Sequence, residues 1–272
     1  MGTVERSDGY VRSLLVATVL SVAGIVAAQV TTVPAFLLDP ALVESPADAS
    51  SLGIVALMGL NFAGFVLVGA AYLWWTDRGW SYLDLRWPTG RGWLFVLVGI
   101  FGSIGYLFVV NVVATLFELE SSENQVVQFI GDDPNVVLLM IVIVFAFNAP
   151  AEEFLFRNVI QKRLYAAFSR MGAVVATSVI FALIHIPSYA LSATGVAPAG
   201  AIAVSLAVVF GGSLIFGTLY AKTDNLVVPI AAHAAFNAFQ FGILYLLLRF
   251  APDELENAMA VAVETALAAV PV

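Results

Sequence analysis

The chain has 272 residues, of which 61% are hydrophobic and only 11% are charged, against about 25% charged residues in a typical soluble domain. That composition, with a mean hydropathy of +0.97, indicates an integral membrane protein. The absence of cysteine excludes disulfides and thiolate chemistry, and a net charge of −8 without a basic stretch argues against nucleic acid as a partner.

Apolar segments of about 20 residues, long enough to cross a bilayer, follow one another along the chain. The sequence therefore predicts an all-α, polytopic transmembrane helix bundle of seven to eight spans, with residues 1–272 forming a single membrane domain. The seven clear candidates are Val11–Leu38, Leu52–Trp75, Gly92–Phe117, Asn135–Phe156, Met171–Ile186, Ala199–Tyr220 and Leu226–Phe250. An eighth segment, Leu255–Val270, is either an interfacial helix or a short final span, and Ser121–Asp133 is predicted to be a short surface helix.

Basic residues are concentrated on one side of this predicted topology. With the N-terminus in the cytoplasm, ten of the eleven Lys and Arg residues lie on the cytoplasmic side, and only Arg249 does not. Because cationic loops strongly determine orientation, a cytoplasmic N-terminus is predicted. Tryptophans cluster around the second loop, as expected of anchors at a membrane interface; they are Trp74, Trp75, Trp80, Trp87 and Trp93.

Three groups of polar side chains fall inside or at the edge of predicted spans, where inserting an ionisable group costs about 2.5–3.5 kcal/mol. They are Glu152, Glu153 and Arg157 in "NAPAEEFLFR", His185 in "FALIHIPSY", and His233 with Asn237 in "PIAAHAAFNAF". Such a set needs a compensating role, either structural or functional.

Helical spacing separates the roles of these residues. Glu153 and Arg157 are four residues apart in the order that favours an ion pair on one helix face. Glu152 points about 100° away from Glu153 and has no such local partner. His233 and Asn237 are also four apart, so that both address one position in the bundle. We therefore expect one carboxylate, the imidazoles and an amide to converge.

The chemistry that this set supports is hydrolysis by an activated water. A carboxylate in an apolar cavity, here Glu152, acts as a general base, while His and Asn donors stabilise an oxyanion. Glu152, His185 and His233 are also candidate zinc ligands. A metal-independent mechanism is slightly favoured, because Asn237 is a poor zinc ligand and suits an oxyanion donor. Spacing alone does not separate a protease from a proton-coupled transporter, which also places Glu and His in mid-membrane.

The three groups together resemble the motifs of the CPBP intramembrane proteases, the family of the eukaryotic CAAX prenyl endopeptidase and of bacterial Abi-like proteins. The patterns are EExxxR in "EEFLFR", FxxxH in "FALIH", beginning at Phe181, and HxxxN in "HAAFN". Residues 148–239 carry all three. The resemblance implies a CAAX-protease-like helical fold with a cavity that opens toward the cytosol.

The resemblance also implies roles for the motif residues. Glu152 corresponds to the water-activating glutamate and His185 to its partner, His233 and Asn237 to the oxyanion-stabilising pair, and Glu153 and Arg157 to supporting residues. The implied function is an intramembrane endopeptidase, of glutamate or metallo type, that acts on a membrane-associated peptide or lipidated protein, including prenylated CAAX-type substrates. The alternatives are a non-catalytic membrane binding or export partner and a proton-coupled transporter.

The depth of the residues adds one structural expectation. If the fifth span begins at Met171 at the inner face, His185 lies about 21 Å along that helix. Glu152, in contrast, lies only about 7 Å along the fourth helix from Arg157, which is near the inner face. The two depths agree if the fourth helix extends past Arg157, and we expect it to continue toward Tyr165.

The predicted topology can be tested by cysteine labelling, because the chain has no native cysteine. A cysteine at Ser81 should react with an impermeant reagent only from the cytoplasmic side, and a cysteine at Ser50 only from the outside. Labelling of intact cells and of inverted vesicles measures both, and the opposite pattern would overturn the orientation.

Overall fold

The structure is a computed structural model that describes residues 8–250, apart from 123, 132, 193 and 194. Its long helices are those predicted from the apolar segments, which confirms the helical membrane bundle. Among the described residues, six helices are long and apolar enough to cross a membrane. They are α1 (Tyr10–Leu38), α3 (Ser51–Trp75), α4 (Gly90–Leu116), α5 (Pro134–Leu164), α8 (Ala199–Thr223) and α9 (Val227–Phe250).

The remaining elements are short. A one-turn helix α2 (Ala41–Glu44) and a 3₁₀ turn (Pro46–Asp48) follow α1, and a second 3₁₀ turn (Trp80–Leu83) precedes α4. The predicted surface helix is a 3₁₀ segment, Gln125–Phe129, with Val126 and Phe129 buried. Helices α6 (Arg170–Ile184) and α7 (Ile186–Ala190) lead into strands β1 (Leu191–Ser192) and β2 (Gly195–Val196), which pair antiparallel with Leu191 opposite Val196.

Within the described residues the spans number six, so the prediction of seven to eight spans is wrong in number there. The fifth predicted span, Met171–Ile186, is the 15-residue helix α6, which ends at His185. Its length of about 22 Å is less than the thickness of a bilayer core, about 30 Å, so it does not span on its own. The segment Leu255–Val270 lies outside the described residues.

The fourth helix continues to Leu164, with Tyr165 as its C-cap, and this confirms the expected extension. Glu152 therefore lies 12 residues, or about 18 Å, from the end of α5. His185 lies 15 residues, or about 22 Å, from Arg170 at the start of α6. Because one short loop joins these two helices, Glu152 and His185 reach similar depths in the bundle.

Contacts between loops define two ends of the bundle. One is called the basic end here and comprises residues 8–13, 76–91, 162–170 and 222–226. There Arg163 binds Asp8, and Arg86 donates to the carbonyl of Asp224. At the opposite end the Ser122 amide donates to Ala201 O at 3.3 Å. Successive long helices therefore run between the same two ends.

A buried polar cluster anchors the last turns of α5 to the loop before α4. Asn158 Nδ2 donates to Tyr82 O at 2.9 Å and to the Tyr220 hydroxyl at 3.1 Å. Asp84 Oδ2 accepts from Tyr220 and lies 2.6 Å from Lys162 Nζ. Burial raises the pKa of the Tyr82 phenol to about 12, so the phenol stays neutral at ordinary pH. The Lys162 ammonium lies over the Tyr82 ring, 3.9 Å from the ring centroid. The position of α5 along its axis is thereby fixed.

Helices α1 and α3 form the most extensive helix contact, through small residues that let their backbones approach. A Cβ atom added at Gly64 of α3 would lie 2.4 Å from the backbone nitrogen of Ala28 in α1. The outward faces carry large exposed apolar side chains, among them Leu37, Phe101 and Phe108. In a membrane protein these faces contact lipid.

Substituting Gly64 with alanine should lower the melting temperature in detergent, because the methyl group meets backbone and forces the helices apart. Overpacking of this kind costs about 1–3 kcal/mol. The matched control is Gly102→Ala in α4, where an added Cβ meets nothing within 4 Å and alanine favours the helix. A Gly64→Ala protein that melts no lower than Gly102→Ala would show that the two helices are less closely packed.

Candidate active site

The three polar groups predicted from the sequence lie on three helices that meet inside the bundle. The first group is in the second half of α5, His185 is the C-cap of α6, and the third group is in the middle of α9. All six side chains are buried: Glu152, Glu153, Arg157, His185, His233 and Asn237. The local geometry explains which of them act together.

Glu153 binds two partners, one with each carboxylate oxygen. Its Oε2 accepts from Arg157 Nε at 2.9 Å, the ion pair expected from the spacing. Its Oε1 lies 3.0 Å from His233 Nδ1, a contact between α5 and α9 that spacing did not predict. Because an ionised carboxylate only accepts hydrogen bonds, this contact places a proton on His233 Nδ1. In the neutral imidazole the other nitrogen, Nε2, then carries a lone pair.

Arg157 extends this network to two further helices. Its Nη1 donates to Ser213 Oγ at 3.1 Å, and Ser213 donates to Ser178 Oγ at 3.1 Å. Ser213 lies on α8 and Ser178 on α6. The guanidinium also lies 5.3 Å from the centroid of the Phe181 ring, within the range of a cation–π contact. The buried cation is thus surrounded by one carboxylate, hydroxyls and an aromatic face.

Glu152 is arranged differently from its neighbour. Its Oε1 accepts from Asn148 Nδ2 at 3.1 Å. Its Oε2 lies 4.0 Å from His233 Nε2, too far for a direct hydrogen bond. Within the described part of the chain, neither Oε2 nor Nε2 has a hydrogen-bond partner, although both are buried. A carboxylate oxygen and an imidazole nitrogen therefore face each other across a short gap.

Asn148 is the side chain that the sequence analysis did not assign. Besides donating to Glu152, its Oδ1 accepts from Asn237 Nδ2 at 2.9 Å, so it bridges the first and third groups. The signal was present, because Asn148 is an amide in an apolar run and stands four residues before Glu152. Its link to Asn237 depends on how α5 and α9 pack, which spacing does not show.

His185 lies at the edge of this cluster. Its Nδ1 is 2.6 Å from the carbonyl oxygen of Phe181, which can only accept, so this nitrogen carries the proton. The Phe181 and His185 rings are 4.5 Å apart, as their shared helix face predicts. In the structure as described, His185 makes no hydrogen bond to Glu152 or His233. The histidine that faces Glu152 is His233.

The backbone around the glutamates is unusual. Two π-helical segments, Val144–Asn148 and Phe154–Gln161, flank the short α-helical stretch Ala149–Glu153. Pro150 within this stretch has no backbone N–H to donate. Such wide turns often occur at functional sites, because they turn side chains relative to a regular helix. Here they accompany the close approach of Asn148, Glu152 and Glu153 to α9.

No metal-binding cluster is apparent among the described residues, since no group of three His, Cys, Asp or Glu side chains could hold an ion. The candidate ligand set of Glu152, His185 and His233 does not form such a group among the described residues. His233 Nδ1 binds Glu153 and His185 Nδ1 binds a carbonyl, which leaves one nitrogen of each ring for any other role.

Comparison with known proteins assigns the segment that builds this site. Residues 134–239 match the protein-family model described as type II CAAX prenyl endopeptidase, Rce1-like. No curated protein and no solved structure matches the chain. The matched segment includes all three motifs and Asn148. The resemblance predicted from the motifs is thereby confirmed: the part of the chain that builds the site is similar to the Rce1-like type II CAAX prenyl endopeptidases.

Proposed function

We propose that this protein is an intramembrane endopeptidase that hydrolyses a peptide bond of a membrane-associated substrate by water activated at Glu152. The family match indicates protease activity of the CAAX type, and prenylated CAAX-type proteins are the substrate class it suggests. The observation that carries the mechanism is a pair of buried atoms, Glu152 Oε2 and His233 Nε2, which lie 4.0 Å apart and have no hydrogen-bond partner among the described residues.

The gap between these atoms suits a single water molecule. Hydrogen bonds of about 2.8 Å to both atoms place a water to one side of the line that joins them. Such a water donates one proton to Glu152 Oε2 and the other to His233 Nε2, and its lone pairs remain available for attack. Both acceptors are held in place, Glu152 by Asn148 and His233 by Glu153.

The proposed reaction uses Glu152 as general base and then as general acid. The water oxygen bonds to the scissile carbonyl carbon while Glu152 takes its proton, and the carbonyl oxygen becomes an oxyanion. Glu152 then returns the proton to the amide nitrogen as the carbon–nitrogen bond breaks. A group that moves a proton in this way contributes about 10²–10⁴-fold to the rate.

The oxyanion role falls mainly to Asn237. The amide nitrogen of Asn237 is oriented by Asn148, and an N–H donor near the reacting carbonyl stabilises developing negative charge. His233 donates from Nε2 only when it is protonated, since its Nδ1 proton is directed to Glu153. We therefore assign His233 to positioning the water, a change from the paired oxyanion role expected from the motif.

His185 and Arg157 complete the proposed site in supporting positions. The motif implies that His185 works with Glu152, yet among the described residues no ion pair or direct hydrogen bond joins their side chains. Arg157 neutralises Glu153 and thereby keeps the carboxylate that orients His233 ionised.

We further propose that the basic end faces the cytoplasm, together with the N-terminus. The support is the concentration of Lys and Arg residues there, which is the pattern of cytoplasmic loops. A substrate with a cytosolic C-terminal segment would then approach the site from this end.

Variants of the two adjacent glutamates separate their roles. Glu152→Gln keeps the shape and removes the base, so we expect a folded protein whose turnover of a quenched prenyl-peptide falls by about 10²–10⁴-fold. Glu153→Gln leaves Arg157 without its counter-ion, and an unpaired buried charge costs about 3–5 kcal/mol. This variant should therefore lose melting temperature as well as activity.

Melting temperature and turnover are to be measured in one detergent, with Glu44→Gln, at the exposed last residue of α2, as the matched control. Full activity in Glu152→Gln with all the loss in Glu153→Gln would move the base role to Glu153. Substrate-dependent proton flux into liposomes without peptide cleavage would replace the peptidase by a transporter.

Removal of metal tests the choice between a water held by side chains and a water held by zinc. We expect dialysis against a strong chelator to leave turnover unchanged, because the candidate ligands do not form a metal-binding group among the described residues. Stoichiometric zinc in the active protein, lost together with activity and restored with it, would contradict the glutamate mechanism.

A further inference from the structure

An open pocket lies at the basic end, where the first turn of α4 meets the last turn of α8 and the start of α9. Its lining includes the cations Arg86, Arg91 and Lys222 and the polar or aromatic residues Thr89, Thr223, Asn225, Trp87 and Phe95. Val228, which also lines it, precedes His233 by five residues on α9, or about 7.5 Å along the helix axis. The pocket is therefore nearer the membrane surface than the candidate active site.

The charged residues that line the pocket are cations. Among the described residues, three cations line it and no carboxylate does. The two nearest acidic residues in the chain have other partners, since Asp224 binds Arg170 and Asp84 binds Lys162. Within the described residues, Arg91 and Lys222 form no ion pair.

The backbone adds to this positive potential. Thr89 is the N-cap of α4 and accepts from the Gly92 amide at 3.2 Å, and both residues line the pocket. The other amides of this first turn have no partner within the helix, and the helix dipole is positive at this end. Arg86 is held by its hydrogen bond to the Asp224 carbonyl, so its guanidinium is fixed at the pocket wall.

The depth of the pocket matches that of lipid head groups. Trp87 packs edge-to-face on Trp93 with ring centroids 5.5 Å apart. Trp74, Trp75 and Trp80 are also exposed at this end. Tryptophans of this kind lie at the boundary between hydrocarbon and head groups. A ligand in the pocket would therefore have its charge at head-group depth and its apolar part beside the helices.

We propose that this pocket binds the phosphate group of an anionic phospholipid. Guanidinium and ammonium groups donate charge-assisted hydrogen bonds to phosphate oxygens. Basic pockets between transmembrane helices suit anionic head groups for this reason. The bound lipid would hold α4, α8 and α9 together at the basic end, on the helix that carries His233 and Asn237.

The test compares the melting temperature of the purified protein in a neutral detergent with added phosphatidylglycerol, phosphatidylcholine or inorganic phosphate. Phosphatidylglycerol should raise it in a concentration-dependent way, because a ligand that binds the folded state stabilises it. In the double variant Arg91→Gln and Lys222→Gln the apparent affinity should fall about thirtyfold, or about fivefold for each cation removed.

The matched control is Arg12→Gln with Arg249→Gln, which removes the same charge at exposed positions outside the pocket and should keep the response of the unaltered chain. Native mass spectrometry of retained lipid gives a second reading that does not depend on stability. An equal loss of apparent affinity for phosphatidylglycerol in the control variant would overturn the proposal. A rise in melting temperature with phosphatidylcholine as large as that with phosphatidylglycerol would also overturn it. Stabilisation by inorganic phosphate alone would assign the pocket to a soluble anion and exclude the lipid.

Discussion

The Glu153 carboxylate is the interaction on which the rest of the site depends. One oxygen neutralises Arg157 and the other orients His233, so a single side chain joins an ion pair within α5 to a hydrogen bond with α9. In a membrane neither charge has an alternative partner in water, and leaving one unpaired is strongly destabilising. Through Arg157, Ser213 and Ser178 the same network reaches α8 and α6.

This network also explains why two adjacent glutamates have different properties. Both carboxylate oxygens of Glu153 have partners, Arg157 and His233. One oxygen of Glu152 accepts from Asn148, and the other faces His233 Nε2 across a gap of 4.0 Å. The fixed position of Glu153 supports the proposed role of Glu152, because a general base must be held at a defined distance from the water whose proton it accepts. Stability and the proposed chemistry are thus divided between neighbouring residues.

Local spacing predicted much of this arrangement, and its limits have a physical cause. The ion pair between Glu153 and Arg157 and the contact of Phe181 with His185 each depend on one helix, so the sequence was sufficient. The extension of α5 followed from comparing the depths of residues along two helices, which depends only on residue counts. The contact of Glu153 with His233 and the bridge through Asn148 depend on the rotation of α5 against α9. Sequence patterns do not give this rotation, because both helices are apolar on nearly every face. The short α6 was mistaken for a span since its composition is as apolar as that of longer helices.

The π-helical segment Phe154–Gln161 has a consequence for how the chain tolerates changes in length. It lies between the glutamates and the cluster around Asn158 and Lys162 that fixes the end of α5. Deleting one residue there would change both the length and the rotation of α5 between the glutamates and that cluster, because a π turn holds more residues than an α turn. Glu152 and Asn148 would then shift relative to α9 with no site residue altered. The number of residues in this stretch therefore specifies the site as firmly as the identity of the glutamates does.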